Sequence, residues 1–436
     1  MAHSEQGRWK VVVIAFLAIA VPFVANEWFG EKMRDSKLLQ PLRPEFWYRA
    51  FGPGEPIRTR VHEFRILAIS RENAPESALG ENRCTHRAFM ATLLNRLADD
   101  ASVNPRLVVI DKWYDHISGD VCTGRSNPTE DLRRAIQKLS KKITVVIAVE
   151  SFDQDEVKQF CSEVKPESVG DDMVLANFER FDLPAQPEDG ADNCDAPKGN
   201  IRFGLARMNS DARKVPLGWD VYCSCKEVGR LRAKLWRTLA VEAAAALDPD
   251  ILNLHGLKEL QASVTHPYIK LLPEESEEGG QPQKTFTQVS AESVVDGDPK
   301  ALEQINQRVV IIGEPWKDTH KTDEGVIDGP SLQANYMAAL LSENTLRPVS
   351  PVVNRVISLA WLAWIFAVFY CWKPLLYRPG LGIIVSLALT IGFAILFSVV
   401  ITRQFQAFAD VAPPTILEII GLYLARRIEM LLEPRG

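Results

Sequence analysis

The sequence predicts an α/β domain, built on a mixed and largely parallel sheet with flanking helices, together with four transmembrane helices. Three observations carry this expectation. The middle of the 436-residue chain holds four short, β-branched, nearly continuous apolar runs of the kind that strands buried on both faces require. Helical patterns separate them, and strand, helix, strand in sequence implies parallel pairing through crossovers. Long uncharged runs occupy the two ends of the chain.

The strands are read at Phe64 to Ser70 (FRILAIS), Arg106 to Asp111 (RLVVID), Thr144 to Glu150 (TVVIAVE) and Arg308 to Gly313 (RVVIIG). A helix is expected over His86 to Asp99, with Phe89, Leu93, Leu94 and Leu97 on one face, and another over Thr129 to Lys141, with Leu132, Ile136 and Leu139. Further on, NIRFGLARM and GWDVYCSCK alternate and are read as an antiparallel pair, followed by a helix from about Arg230 to Ala246. Asp153 to Gly199 is rich in Asp, Glu, Pro and Gly, and Glu274 to Gln283 reads EESEEGGQPQ; both are expected to be mobile surface loops.

At the N-terminus, residues 1–10 precede the segment 11–29, whose run from Val11 to Ala25 carries no charge and is flanked by Arg8 and Lys10 before and by Glu27, Glu31 and Asp35 after. The run is a signal anchor or a cleaved signal peptide. Phe23 at the minus-three position of a cut after Ala25, with Trp28 and Phe29 still to come, favours the anchor. Segments 356–372 and 380–402 have the length needed to cross about 30 Å of hydrocarbon as helix. Segment 411–430 is the fourth span, the competing reading being an amphipathic interfacial helix because Glu418 lies within it. Arg8, Lys10, Lys373, Arg378, Arg426, Arg427 and Arg435 all fall on one side of a four-span arrangement, which makes that side the cytoplasm. Residues 30–355 are thereby expected outside, in the periplasm or extracellular space of a bacterial inner membrane, and 431–436 as a cytoplasmic tail.

Six of the seven cysteines, Cys84, Cys122, Cys161, Cys194, Cys223 and Cys225, fall in that exterior segment. An even count in an oxidising compartment reads as disulfides. A metal site is the alternative, but neither Cys84-Thr-His86 nor Cys223-Ser-Cys225 has the two-residue spacing of a zinc knuckle. Cys84 follows the first strand and Cys122 the second, so the two are expected to meet at one sheet edge; Cys161, Cys194, Cys223 and Cys225 pair among themselves in some order. A formal net charge of -6 without Lys/Arg tracts argues against nucleic acid, which needs a basic footprint. The Gly-x-Ser-x-Gly, Walker A, Gly-x-Gly-x-x-Gly and His-Glu-x-x-His patterns are absent, so no enzyme activity, cofactor or metal is expected.

The order of features resembles the type 2 CHASE domain, a bacterial extracytoplasmic sensory module. RVVIIGEPWKDTHKTDEGVIDGPSLQANYMAALLSENTLRPVS is similar to that family's closing pattern of a VVIIG strand, an Asp, a Gly-rich turn and a helix carrying Ala-Asn. RLVVIDKWYD resembles its second strand with the terminal Asp, and FGLARMNSDARKVPLGW the segment that leads to Val-Pro-Leu. The resemblance covers about residues 30 to 430. The chain departs from the family after the first strand, where Ser70-Arg71-Glu72 and NRCTHR replace an acidic pair and a Trp-Pro-rich segment, keeping only Arg87.

The resemblance implies a membrane-bound sensor or receptor for a small ligand or envelope protein. Relatives continue into a cytoplasmic output domain, whereas this sequence stops at Gly436, so an effector of the kinase, cyclase or protease class is expected in trans, with Arg426, Arg427 and Glu429 as contacts and a homodimer as one arrangement. A structural role, docking another envelope protein, is the alternative function. In open parallel sheets ligands bind beyond the carboxyl ends of the strands. Asp111, Glu150, Asp318 and His320 are expected at that edge with Arg87 nearby, and so many carboxylates favour a cation or an amine-bearing ligand.

Overall fold

The computed structural model describes residues 55–73, 81–112, 128–149, 151–152, 174–176, 200–208, 212–222, 234–254, 267, 269, 271–278, 281–322 and 325–342, with Thr345, Arg347–Pro348, Val356 and Ala407–Phe408. Two compact units make up the chain, one of residues 54–345 and one of residues 1–53 with 346–436. In the first, α1 (Glu55–Arg60) and a single 3-10 turn (Val61–Glu63) lead into β1 (Phe64–Ala68), α2 (Glu81–Asp99), β2 (Leu107–Ile110), α3 (Pro128–Ser140) and β3 (Val145–Val149). Short strands β4 (Ser151–Phe152) and β5 (Val174–Ala176) precede β6 (Ile201–Leu205), β7 (Gly218–Tyr222), β8 (Lys234–Arg237), α4 (Leu239–Leu247) and α5 (Ile251–Leu254). The chain then forms β9 (Glu275–Glu278), β10 (Gln281–Lys284), β11 (Gln288–Ser290), α6 (Ala291–Asp296), α7 (Pro299–Ile305) and β12 (Val309–Gly313). It closes the unit with β13 (Thr319–Thr322), β14 (Gly325–Asp328) and α8 (Gly329–Leu341). In the other unit, β15 (Arg347–Pro348) and β16 (Ala407–Phe408) pair in parallel.

A six-stranded, wholly parallel sheet in the order β11-β1-β12-β2-β3-β6 is the frame. Alternate residues of each central strand enter two separate cores. Phe64, Ile66, Val109, Val146 and Ile311 join α1, α4 and α8 on one face. Leu67, Val108, Ile110, Ile147 and Ile312 join α2, α3, α6 and α7 on the other. This is why the strand sequences show no polar alternation: both faces are covered. Strand β12, late in the chain, is inserted between the early strands β1 and β2. Its register brings the Asp111 N–H to the Ile312 carbonyl at 2.9 Å and the Ile69 N–H to the Gly313 carbonyl at 3.0 Å. Three strand ends from distant parts of the sequence therefore meet at one edge.

Helix α8 starts where the sequence says it should. Asp328 accepts from the Ser331 N–H at 2.7 Å as N-cap, and Pro330 sits in the first turn, where its missing N–H costs nothing. Every residue of α8 is buried, including three polar ones. Asn335 is fully enclosed and is matched to Leu272: its Oδ1 accepts from the Leu272 N–H at 2.8 Å, while its Nδ2 donates to the Leu272 carbonyl at 3.4 Å and to the Ser331 carbonyl at 3.0 Å. The Tyr336 hydroxyl donates to the Ala212 carbonyl at 2.7 Å. Asn335→Ala strands the buried Leu272 N–H and carbonyl, and is expected to lower unfolding free energy by about 2 kcal/mol in a denaturant titration.

Several expectations are corrected. The predicted fold class of an α/β domain with four transmembrane helices holds for the α/β part only: among the described residues no helix is long and apolar enough to cross a membrane. Helix α2 has the length but carries Glu81, Arg87, Arg96 and other polar residues. Helix α8 is apolar but has 13 residues, about 20 Å of rise, short of the hydrocarbon thickness. The segments 11–29, 356–372, 380–402 and 411–430 lie outside the described residues, apart from Val356. NIRFGLARM and GWDVYCSCK do not pair with each other. Strand β6 extends the parallel sheet beside β3, and β7 pairs antiparallel with β8 in a second sheet of order β4-β5-β7-β8. Lys234–Arg237, expected as helix, is thus strand, and the helix begins only at Leu239, capped by Thr238. The acidic EESEEGGQPQ stretch, expected as a loop, forms the β9-β10 hairpin.

Candidate functional site

At the carboxyl edge of the sheet, Asp111 directly follows β2 and Glu314 directly follows β12. Lys112 pairs with Glu314, whose carboxylate also lies 3.8 Å from His86 Nδ1 on α2 and 3.9 Å from Lys317 Nζ. Glu314 and His86 are each only 6% exposed. Burial, aided by the positive charge of Lys112, pushes the His86 imidazolium down to about 3, so His86 is neutral at physiological pH. Arg87, 2% exposed, donates to Thr129 Oγ1 at 2.7 Å and so joins α2 to the first turn of α3.

Asp111 stands at the same edge. Its Oδ2 is sealed from solvent and has no hydrogen-bond partner. Burial, and then the negative charge of Asp318, push its carboxyl up to about 8. The charged groups near it are Asp318, just before β13, His320 in β13, Asp328 at the N-cap of α8 and Glu314, just after β12. His320 Nε2 is 2.9 Å from Asp318 Oδ1, and that carboxylate holds the imidazole above its ordinary value. Burial raises Asp328 as well, although both of its oxygens are engaged: Oδ1 accepts from the Ser331 N–H, and Oδ2 from the Ser331 hydroxyl at 2.9 Å and Gln288 Nε2 at 3.2 Å.

Hairpin β13-β14 is stitched directly to α8. The Gly329 N–H, first in the helix, donates to the Asp318 carbonyl at 2.7 Å. A Cβ on Gly329 would lie 1.9 Å from Asp318 Oδ2, so glycine is what lets this carboxylate sit over the helix start. Gly313 is under the same constraint, since its Cβ would meet Pro330 Cγ at 2.5 Å. Further along the edge, Glu292 is occupied by the Ser70 N–H at 3.0 Å and Asn73 Nδ2 at 2.9 Å. Burial opposes its ionisation, yet these hydrogen bonds hold it near 2. Trp316 Nε1 donates to the Ile69 carbonyl at 3.0 Å, and Arg71 lies 5.1 Å above its ring.

Of the residues expected at the ligand edge, Asp111, Asp318 and His320 are brought together. Arg87 is placed instead on the α2 side, in the His86 and Glu314 network, and Glu150 lies outside the described residues. Asp328, Glu314, His86 and Gly329 were not anticipated. Glu314 follows β12 as Asp111 follows β2, and Asp328-Gly-Pro is a helix-start signature, so two of these had a signal in the sequence. His86 had none. Among the described residues no group of three or more His, Cys, Asp or Glu side chains is placed to hold a metal ion. Cys84 is disulfide-bonded; the other cysteines fall outside the described residues, and with them the expected pairings. No protein-family profile matches the chain, and neither does any curated protein or solved structure.

Proposed function

We propose that residues 54–345 form an extracytoplasmic sensory domain of the type 2 CHASE kind, held at a bacterial inner membrane. A ligand at the Asp111 edge biases helix α8, and an effector in trans reads the change. One observation carries the reading. Asp111, one of whose carboxyl oxygens is buried and unpartnered, lies near the hairpin whose Asp318 carbonyl accepts from the first N–H of α8. Helix α8 is buried along its whole length, and the unit ends four residues after it, at Thr345. A helix that cannot shift without repacking its surroundings has discrete positions rather than a continuum, as a two-state relay requires. Ligand binding changes the balance only if it favours one of those positions, and the link through Asp318 gives it that leverage. The disulfide at Cys84 fits an oxidising compartment.

Affinity purification of the full chain from native membranes is expected to recover an effector of the kinase, cyclase or protease class. The Asp111→Asn/Asp318→Asn double variant, folded by circular dichroism, is expected to leave that effector at one fixed activity whatever the exterior medium contains. Recovery of no effector, or an effector regulated normally by the double variant, refutes the reading.

A further inference from the structure

We propose that the Asp111 edge binds a monovalent primary ammonium group, which sits between the Asp111 and Asp318 carboxylates. This rests on the sensory reading above and names the ligand class for that same site. The charges on the page select it. Glu314 has Lys112, Asp318 has His320, and both oxygens of Asp328 accept hydrogen bonds from Ser331 and Gln288. Among these carboxylates only Asp111 has a buried oxygen, Oδ2, with no hydrogen-bond partner, and the imidazole near it, His320, is already paired with Asp318. A single carboxyl that gives up one proton is matched by one positive charge, which argues against a divalent ion, and among the described residues no group is arranged to hold a metal.

Hydrogen-bonding chemistry narrows the choice further. A buried acceptor without a partner is satisfied by a directed N–H donor, which a primary ammonium has and a quaternary ammonium lacks. Asp318, half-exposed and held over Gly329, offers a second acceptor toward solvent and so a route of approach. An anionic ligand is disfavoured, because Asp318 and Asp328 both face the same point and the lysines of the α2 side are turned to Glu314.

Because Asp111 is neutral in the free protein at neutral pH, binding an ammonium there expels its proton to solvent. Titration calorimetry of the purified full chain with methylammonium, in two buffers of different ionisation enthalpy, is expected to show release of about one proton at pH 6.5 and almost none at pH 9.5. Tetramethylammonium, equally charged but without N–H groups, is expected to bind at least tenfold more weakly, and so is methylammonium to Asp111→Asn. Gly329→Ala, which pushes the Asp318 carboxylate aside, supplies a second variant with the same expected loss. Equal binding of the two cations, normal binding to both variants, or no binding of methylammonium at millimolar concentration overturns the proposal. The two readings fail separately. Methylammonium bound with proton release but with unchanged hydrogen exchange in α8 sinks the relay alone; no amine binding, while the double variant still loses its response, sinks the ligand class alone.

Discussion

Gly204→Ala is expected to be the most damaging single methyl group in the domain, costing about 3 kcal/mol or more of unfolding free energy, enough to deplete the folded full chain at 37 °C. Gly204 is buried in β6 at the point where the N-terminus of α4 crosses the sheet. A Cβ there would lie 2.5 Å from Leu239 Cα, 2.6 Å from Leu239 N and 2.8 Å from the Thr238 carbonyl carbon. All three are backbone atoms, so no rotamer change relieves the overlap. The helix start cannot retreat either. Thr238 caps α4, its N–H donates to the Leu217 carbonyl, and it forms a parallel bridge with Leu205. Moving α4 also unpacks Leu239, Ala240, Val241 and Ala244, which fill the core against β2 and β3. Gly329→Ala is the instructive contrast. Its nearest neighbour is the end of the half-exposed Asp318 side chain, which can swing away, so the fold survives while the site is altered. Denaturant unfolding of the two variants side by side tests the difference; equal stabilities would mean that the β6 and α4 backbones are not in close contact.

Burial on both faces made the centre of the fold legible, and exposure at its margins hid the rest. β1, β2, β3 and β12 are runs such as LVVI and VVIIG that fit no other environment, and helices α2 and α3 have apolar positions at helical spacing, whereas α8, buried on every side, shows no stripe and was readable only through the resemblance. Strand β6 is an edge of the parallel sheet. Its IRFGL therefore alternates as a half-solvated antiparallel strand does, and the sequence alone does not separate the two. Strand β11 is the other edge, three residues long with only Val289 buried, too short for any periodic signal. At Lys234–Arg237 the local pattern suits a helix, but pairing with β7 overrides it. The site divides in the same way. A carboxylate directly after a buried strand marks the sheet edge, so Asp111 was readable, and Asp318 and His320 followed from their position after β12. What joins them to α8 is a backbone hydrogen bond and a missing Cβ at Gly329, contacts set by tertiary packing that no spacing in the sequence encodes.

Asp111→Asn is expected to stabilise the protein at neutral and alkaline pH and to do little in acid. In the unfolded chain an aspartate loses its proton near pH 4, while in the folded domain burial and the nearby Asp318 hold the proton until about pH 8. Between those limits the folded state binds one proton more than the unfolded state. Stability therefore falls as pH rises, by about 1.4 kcal/mol per pH unit from this group, with nothing further lost above the folded value. Its favourable contribution is complete below the unfolded value and gone above the folded one. Asparagine has nearly the same shape and no charge to desolvate, so the variant escapes this slope. A melting temperature for Asp111→Asn that exceeds the wild type by a margin growing from pH 5 to pH 8, and closing toward pH 4, is the expected result. A margin independent of pH would mean that Asp111 ionises as an ordinary surface carboxylate. The same measurement bears on function. A residue that destabilises its own fold at working pH, where asparagine would not, is what a site loses when it is optimised for stability and keeps when it must take up a charge. Ammonium binding removes the penalty by supplying the missing counter-charge, so methylammonium is expected to raise the melting temperature of the wild type and leave that of Asp111→Asn unmoved. Equal shifts in the two proteins would place the amine somewhere other than beside Asp111.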